Sequence, residues 1–170
     1  MTVTLRDATL ADALAILPIY NHAVNHTTAM WSEEESTLAE REAWIAARQG
    51  AGLPVTVAEV EGAVVGFGSF GEFRARSGYR LTVEHSVYVD HHRHRGGIGR
   101  ALLTDLIDRA RAMGLHAMIG GIEAGNAPSI TLHRALGFVE VGRLPQVGVK
   151  FGRWLDLAFL QLTLDDRAVP

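Results

Sequence analysis

Between Thr82 and Arg100 the chain concentrates groups that could do chemistry. The run Thr82-Val83-Glu84-His85-Ser86-Val87-Tyr88-Val89 is strongly β-branched and carries one carboxylate and one imidazole. Successive residues of a strand face opposite sides, so Glu84 and His85 are not expected to share a role. His94-Arg95-Gly96-Gly97-Ile98-Gly99-Arg100 follows, and a helical pattern opens directly after it. Glycines let a backbone turn tightly and approach a ligand without Cβ clashes. The first turn of a helix offers unpaired N–H groups and a positive dipole end. Together they suit an anion such as a pyrophosphate, and Arg95 and Arg100 add positive charge. An ordinary glycine-rich turn from strand to helix fits the same local pattern. The spacing matches neither common phosphate loop: there is no lysine for a Walker loop, and G-G-x-G is not G-x-G-x-x-G.

Other reactive groups carry less. His91, His92 and His94 stand with Arg93 and Arg95 in a dense basic patch. A metal needs ligands converging at about 2.1 Å, which adjacent residues of one loop rarely achieve. No carboxylate is read as spaced to help, so no metal site is expected; a basic or pH-sensitive loop is. Ser86 and Ser129 lack the G-x-S-x-G elbow of a hydrolase nucleophile.

The elements that must position these groups are readable. Val3 to Arg6 is short and β-prone, and Leu10 to Val24 has apolar residues at helical spacing. Thr37 opens a second helix, with Glu40 placed to complete a capping box; it runs to about Arg48 and ends near Gly50 and Gly52. Val55–Val60 and Val64–Phe70 predict strands joined by a tight turn at Glu61-Gly62. Ala101, Leu102, Leu106, Ile107, Ala110 and Met113 mark an amphipathic helix stopped by Gly114. His116–Ile122 predicts a strand and Ala127–Leu136 a helix ended by Gly137. Phe138–Gly142 and Trp154–Leu164 predict the last strands. Hairpin-like neighbours mixed with helices indicate an α+β domain around a mixed sheet.

With 170 residues, one domain spanning 1–170 is expected. Hydrophobic residues make up 48% and charged ones 21%, ordinary globular values. A net charge of -3 with interspersed signs gives no nucleic-acid footprint. The absence of cysteine excludes a disulfide framework, a thiolate zinc site and a cysteine nucleophile, and fits a reducing compartment. Arg6, Asp7 and Asp12 interrupt the N-terminus, so no signal peptide is expected. No apolar run approaches the ~18 residues of a membrane span, and a cytoplasmic location is expected.

The glycine segment resembles the pyrophosphate loop of GNAT acetyltransferases, [Q/R]-x-x-G-x-[G/A], with Gly97 and Gly99 in the glycine slots and His94 departing at the first. Asn126-Ala127-Pro128-Ser129-Ile130-Thr131-Leu132-His133-Arg134-Ala135-Leu136-Gly137-Phe138 resembles that family's N-x-x-[A/S]-x-x-x-Y-x-x-x-G-F, with His133 in the tyrosine slot. The joint spacing of the two motifs carries the resemblance. Over nearly the whole chain, including Ile19–Val24, Thr28–Trp31, Pro145–Gly148 and Gly148–Asp156, it is similar to the phosphinothricin and methionine sulfoximine N-acetyltransferases. Phosphinothricin enzymes tend to have Tyr, His and His where this chain has Val149, Phe151 and Leu155, which sets it closer to the methionine sulfoximine and sulfone branch.

The resemblance implies a GNAT fold, with a central mixed, mostly antiparallel twisted sheet flanked by helices. It implies acetyl-CoA as co-substrate and the α-amino group of a small amino acid or analogue as acceptor. Other acceptors (a polyamine, a peptide or a protein N-terminus) and a non-catalytic acyl-CoA sensor stay open. The cofactor would be held by Val87, Tyr88, Val89, Arg95, Gly96, Gly97, Ile98, Gly99, Arg100, Asn126 and Ser129. Glu84 would be the base, directly or through water, and His133 would orient it, relay a proton or protonate the thiolate. Substrate would meet Trp31, Phe73, Arg74, Thr82, Glu84, His85 and Lys150, with Arg74 suited to a substrate carboxylate. The resembled enzymes are homodimers with the segment Lys150–Asp156 near the interface, so a homodimer is expected here.

Overall fold

The computed structural model describes residues 2–93 and 96–170. Among them are β1 (Thr4–Asp7), α1 (Ala13–His26), α2 (Leu38–Gly50), β2 (Val55–Val60), β3 (Ala63–Glu72) and β4 (Thr82–Val89). There follow α3 (Ile98–Ala112), β5 (Ala117–Glu123), α4 (Ala127–Ala135), β6 (Val139–Lys150) and β7 (Arg153–Thr163). Hydrogen-bonded neighbours run β1-β2-β3-β4-β5-β7-β6. β4 and β5 pair in parallel, while β1–β2, β2–β3, β5–β7 and β6–β7 are antiparallel. This is the mixed, mostly antiparallel sheet expected of the fold. Among the described residues no helix is long and apolar enough to cross a membrane.

The chain packs as two compact units, Met1–Phe70 with Ser86–Leu106, and Gly71–His85 with Ile107–Pro170. In the first unit the helix expected from Leu10 opens as a 3-10 turn, Leu10–Asp12, and becomes α-helical at Ala13. Asp12 explains the opening: its carboxylate accepts from the Thr9 backbone N–H at 2.7 Å and from Arg6 at 2.8 Å. Arg6 also binds Glu59 of β2, and it holds the Asp12 carboxyl down to about 2. The capping box of α2 forms as read: Glu40 N–H donates to Thr37 Oγ1 and the Glu40 carboxylate accepts from Thr37 N–H. Ala13, Ile16, Ile19, Ile45, Val55, Val57 and Phe67 form one buried cluster. Ile16 and Ile45 are fully buried, and each such side chain contributes about 1.5–3 kcal/mol. Val60 pairs with Ala63 across a two-residue turn in which Glu61 and Gly62 both have positive φ, the geometry that matches strand twist.

In the second unit β5 and β7 pair from Ala117↔Thr163 to Glu123↔Leu157. β6 is longer than the expected Phe138–Gly142 and runs to Lys150. Register shifts at Glu140/Gly142 and Leu144/Gly148 break its alternation, and Gln146 takes a positive φ beside Pro145. As the terminal strand of the order, β6 tolerates a proline and bulges that a central strand would not. Phe151 and Gly152, both at positive φ, close the β6–β7 hairpin.

Candidate active site

Glu84 lies where the parallel ladder of β4 and β5 reaches its last matched pair, Glu84↔Ile119, after Thr82↔Ala117 and Val83↔Met118. Its carboxylate reaches the backbone of β5 at Gly121: a Cβ added there would sit 2.8 Å from Glu84 Oε1. Leu157 and Phe159 of β7 border the same point at 3.5 and 3.9 Å. The side chain is open to solvent, yet the packing around it raises its carboxyl above the ordinary value, and Arg74 partly opposes that rise.

Phe73 and Arg74 join this face. Phe73 N–H donates to the Thr82 carbonyl at 3.4 Å. The Phe73 ring meets Tyr79 and Phe159 edge-on at 5.8 and 6.1 Å, and the Arg74 guanidinium covers it at 4.8 Å. Arg74 itself is exposed, so its cation is available to a carboxylate. Thr82 also lines a separate cavity of about 250 Å³, with Arg80, Leu81, His116 and Arg167. Lys150 is fully buried at the end of β6, its ammonium 4.9 Å from the Phe151 ring.

One residue further along β4 the surroundings invert. His85 is buried, and its Nε2 lies 3.0 Å from His133 Nε2. His133, buried on α4, has its Nδ1 2.7 Å from the Ser129 carbonyl. The rings stack at 5.0 Å, and Phe138 meets both edge-on. A Cβ at Gly120 would come within 3.0 Å of His85 Nε2 and 3.1 Å of His133 Nε2. Burial pushes His85 down to about 3, helped by His133; it also lowers His133, against the opposing pull of the Ser129 carbonyl. Both imidazoles are therefore neutral at ordinary pH. Both His133 nitrogens are engaged, one to Ser129 and one to His85. Asn126 caps α4, its Oδ1 accepting from Ser129 N–H at 3.2 Å.

The first unit carries the glycine turn. His94 and Arg95 lie outside the described residues. Gly97 has φ +74°, a conformation that favours glycine, and its carbonyl accepts from Ala101 N–H at 2.9 Å to start α3. The Ile98 side chain is buried in the core, leaving its backbone to the turn, whereas Arg100 is exposed. The opening residues of α3 thus present N–H groups with no earlier helical partner. Tyr88 stacks on Phe67 at 5.2 Å and meets Tyr20 at 6.2 Å. Its ring is therefore part of the core's edge, and Val87 likewise packs toward Gly68. Contacts from Val87 to Val89 to a ligand would fall to the backbone. Trp31 donates its indole N–H to the Thr28 carbonyl at 2.9 Å, which fixes the loop after α1.

The basic patch does contain a carboxylate within reach, contrary to the spacing argument. Asp90, His91 and His92 each offer a ligand atom within 4.8 Å of the others. Asp90 already accepts from His92 N–H at 3.0 Å, and His91 stacks on His22.

Sequence reasoning missed Gly120, Gly121 and Phe159. The Gly-Gly pair is visible in the sequence, but only the folded chain shows that Gly121 lies against Glu84 and Gly120 against His85.

Residues 5–159 match a family model described as an acetyltransferase (GNAT) domain. The chain is 55% identical to an L-methionine sulfoximine/L-methionine sulfone acetyltransferase of Salmonella typhimurium, over 99% of this chain and 98% of the relative. It is 38% identical to a phosphinothricin N-acetyltransferase of Streptomyces viridochromogenes, over 99% and 91%. A solved acetyltransferase structure from Salmonella typhimurium, bound to its cofactor acetyl-CoA, superposes with a TM-score of 0.97 at 53% identity, covering 100% of this chain and 98% of that one.

Proposed function

The chain belongs to the GNAT acetyltransferase family, and on that footing we propose that it acetylates the α-amino group of a small amino-acid analogue of the methionine sulfoximine or sulfone type. It is an N-acetyltransferase with acetyl-CoA as co-substrate. The observation that carries the finer reading is the face of Glu84. A carboxylate with a raised pKa lies beside an exposed guanidinium and an aromatic wall of Phe73 and Phe159. An α-amino acid brings a complementary pair of groups, its carboxylate for Arg74 and its ammonium for Glu84.

The transfer is direct. The ammonium loses a proton to Glu84, directly or through water. The neutral amine attacks the thioester carbonyl, the C–S bond of the tetrahedral intermediate breaks, and CoA leaves as its thiolate, which takes the second proton of the attacking nitrogen directly or through water to give amide and CoA thiol. A backbone N–H near Val87 or Val89 stabilises the oxyanion. The glycine turn and the start of α3, with Arg95 and Arg100, hold the pyrophosphate, and Asn126 and Ser129 serve the cofactor from α4. Trp31, Thr82 and Lys150 shape the acceptor side. His133, with both nitrogens engaged, acts through His85 rather than on the thioester. One GNAT domain comprises both units, since one family model runs across them.

A homodimer accords with the exposed apolar residues of the terminal hairpin, among them Val139, Val141, Val147, Val149, Phe151 and Trp154. A cytoplasmic setting accords with acetyl-CoA as co-substrate.

The test is CoA release from acetyl-CoA against methionine sulfoximine, methionine sulfone, phosphinothricin, common L-amino acids, spermidine and a short peptide. Turnover is expected on the first two, weaker on phosphinothricin and absent on spermidine. Turnover confined to spermidine or peptide overturns the acceptor assignment, and tight acetyl-CoA binding without turnover on any of them favours a sensor.

A further inference from the structure

The histidine-rich loop after β4 gains a second element in the folded chain. β4 ends at Val89, and Asp90 N–H donates to the Val65 carbonyl at 2.9 Å, which fixes the chain as it leaves the sheet. A 3-10 turn, His91–Arg93, follows, with Arg93 N–H donating to the Asp90 carbonyl at 2.9 Å. The turn gathers Asp90, His91 and His92, each with a ligand atom within 4.8 Å of the others. Among the described residues no other three histidine, aspartate or glutamate side chains gather in this way. Asp90 Oδ1 lies 3.4 Å from His91 Nδ1, and ligands held about 2.1 Å from a tetrahedral ion stand roughly 3.4 Å apart. The His91 and His92 rings lie 3.7 Å apart and tilted by 42°. The same Asp90 oxygen accepts from His92 N–H at 3.0 Å, an outer hydrogen bond that aims the carboxylate.

Adjacent residues of one loop rarely converge on an ion without help, and here α1 supplies it. His22 stacks on His91 at 3.7 Å with the planes 4° apart, and His26, one helical turn on, meets His22 at 4.8 Å. All five groups belong to the first unit. A ring nitrogen's lone pair lies in the ring plane, so a ring stacked face to face on His91 does not aim at the ion that His91 binds. His22 instead fixes the plane in which His91 presents its nitrogen.

We propose that Asp90, His91 and His92 bind a divalent transition-metal ion of the Zn2+ class, with His22 as the positioning residue behind His91 and water completing the coordination. Two imidazoles with one carboxylate suit Zn2+, Ni2+ or Cu2+, whereas Mg2+ and Ca2+ take oxygen ligands. His91 and His92 are exposed and Asp90 is half-buried, so side-chain rotation alone can close the 4.8 Å span to ligand distances. The site stands just before the glycine turn in sequence, and it does not depend on the acetyltransferase reading.

The test is calorimetric titration of Zn2+, and separately of Mg2+, into the full chain without an affinity tag and without substrate. One Zn2+ per chain at micromolar affinity is expected, with no binding of Mg2+. Asp90→Asn, His91→Gln and His92→Gln should each weaken Zn2+ at least about tenfold, since even a partner behind the ligands is worth 10–100-fold. His22→Phe, which keeps a stacked ring without a nitrogen, should bind within a few fold of the wild type, and His22→Ala should lose about tenfold. His116→Gln, at the imidazole paired with Asp165, should titrate like the wild type. Zn2+ should also raise the melting temperature of the wild type and not that of His92→Gln. Zn2+ binding no tighter than millimolar, or an affinity that survives in both Asp90→Asn and His92→Gln, overturns the site. A His22→Phe loss equal to that of His92→Gln overturns the role given to His22.

Discussion

Glu84 and His85 are covalent neighbours held under opposite conditions. Glu84 is solvent-reachable, faces a guanidinium, and has its carboxyl raised above the ordinary value by the packing around it. His85 is sealed with a second imidazole against Phe138 and stays neutral. The strand pleat makes the separation, since one residue along β4 is one face of the sheet. β5 matches it by setting Gly121 against the Glu84 carboxylate and Gly120 against the histidine rings. Burial alone does not make a reactive group: the more buried residue is the less titratable one, and the group suited to move a proton is partly wet.

The glycine pair allows the two faces to be broken separately. Gly121→Ala places a Cβ 2.8 Å from Glu84 Oε1, the far end of a flexible side chain that can move aside. The fold should persist with an unchanged melting temperature, while kcat falls at least about tenfold, because a displacement near 1 Å can cost up to about a hundredfold. Unchanged kcat would mean that the carboxylate's position is not critical. Gly120→Ala meets two buried rings that support each other, so stability should drop by about 1–3 kcal/mol, read by denaturant midpoint. If both variants lose stability equally, the contrast between the faces is wrong.

The most gradual effect is in pH. His85 is lowered from 6.5 to about 3 in the folded chain, so between those values the unfolded chain binds more protons. Its contribution is fully present above about pH 6.5 and is lost as pH falls toward 3, at no more than about 1.4 kcal/mol per pH unit. Asp12 acts in a lower window, present above 3.8 and lost as pH falls through about 2. Equilibrium unfolding between pH 4 and 6.5 should flatten in His85→Leu, and an identical slope would exclude the buried pair as its source.

Much of the fold was readable because local rules coincide with it. Thr37 with Glu40, Glu61-Gly62, Gly114 and Gly137 each ended or opened an element where expected. The long β6 was not readable, since Pro145, Gly148 and two register shifts erase its alternation and only pairing with β7 holds it. The residues proposed for the site were legible as types: the glycine turn, Glu84, Arg74 and His133. Its connections were not, because the His85–His133 contact joins residues 48 apart in sequence, and the Glu84 surroundings depend on β5 and β7 register. Asp90 is not legible as a carboxylate beside the histidines from spacing alone, since the 3-10 turn at His91–Arg93 is what gathers these neighbours.

The central claim is that Glu84 is the base. Its most direct test is the acetylation rate of methionine sulfone by Glu84→Gln, measured beside acetyl-CoA affinity. A loss of about a hundredfold or more in kcat/KM with affinity retained is the predicted result. A variant that binds acetyl-CoA normally and turns over within a few fold of the wild type would contradict it.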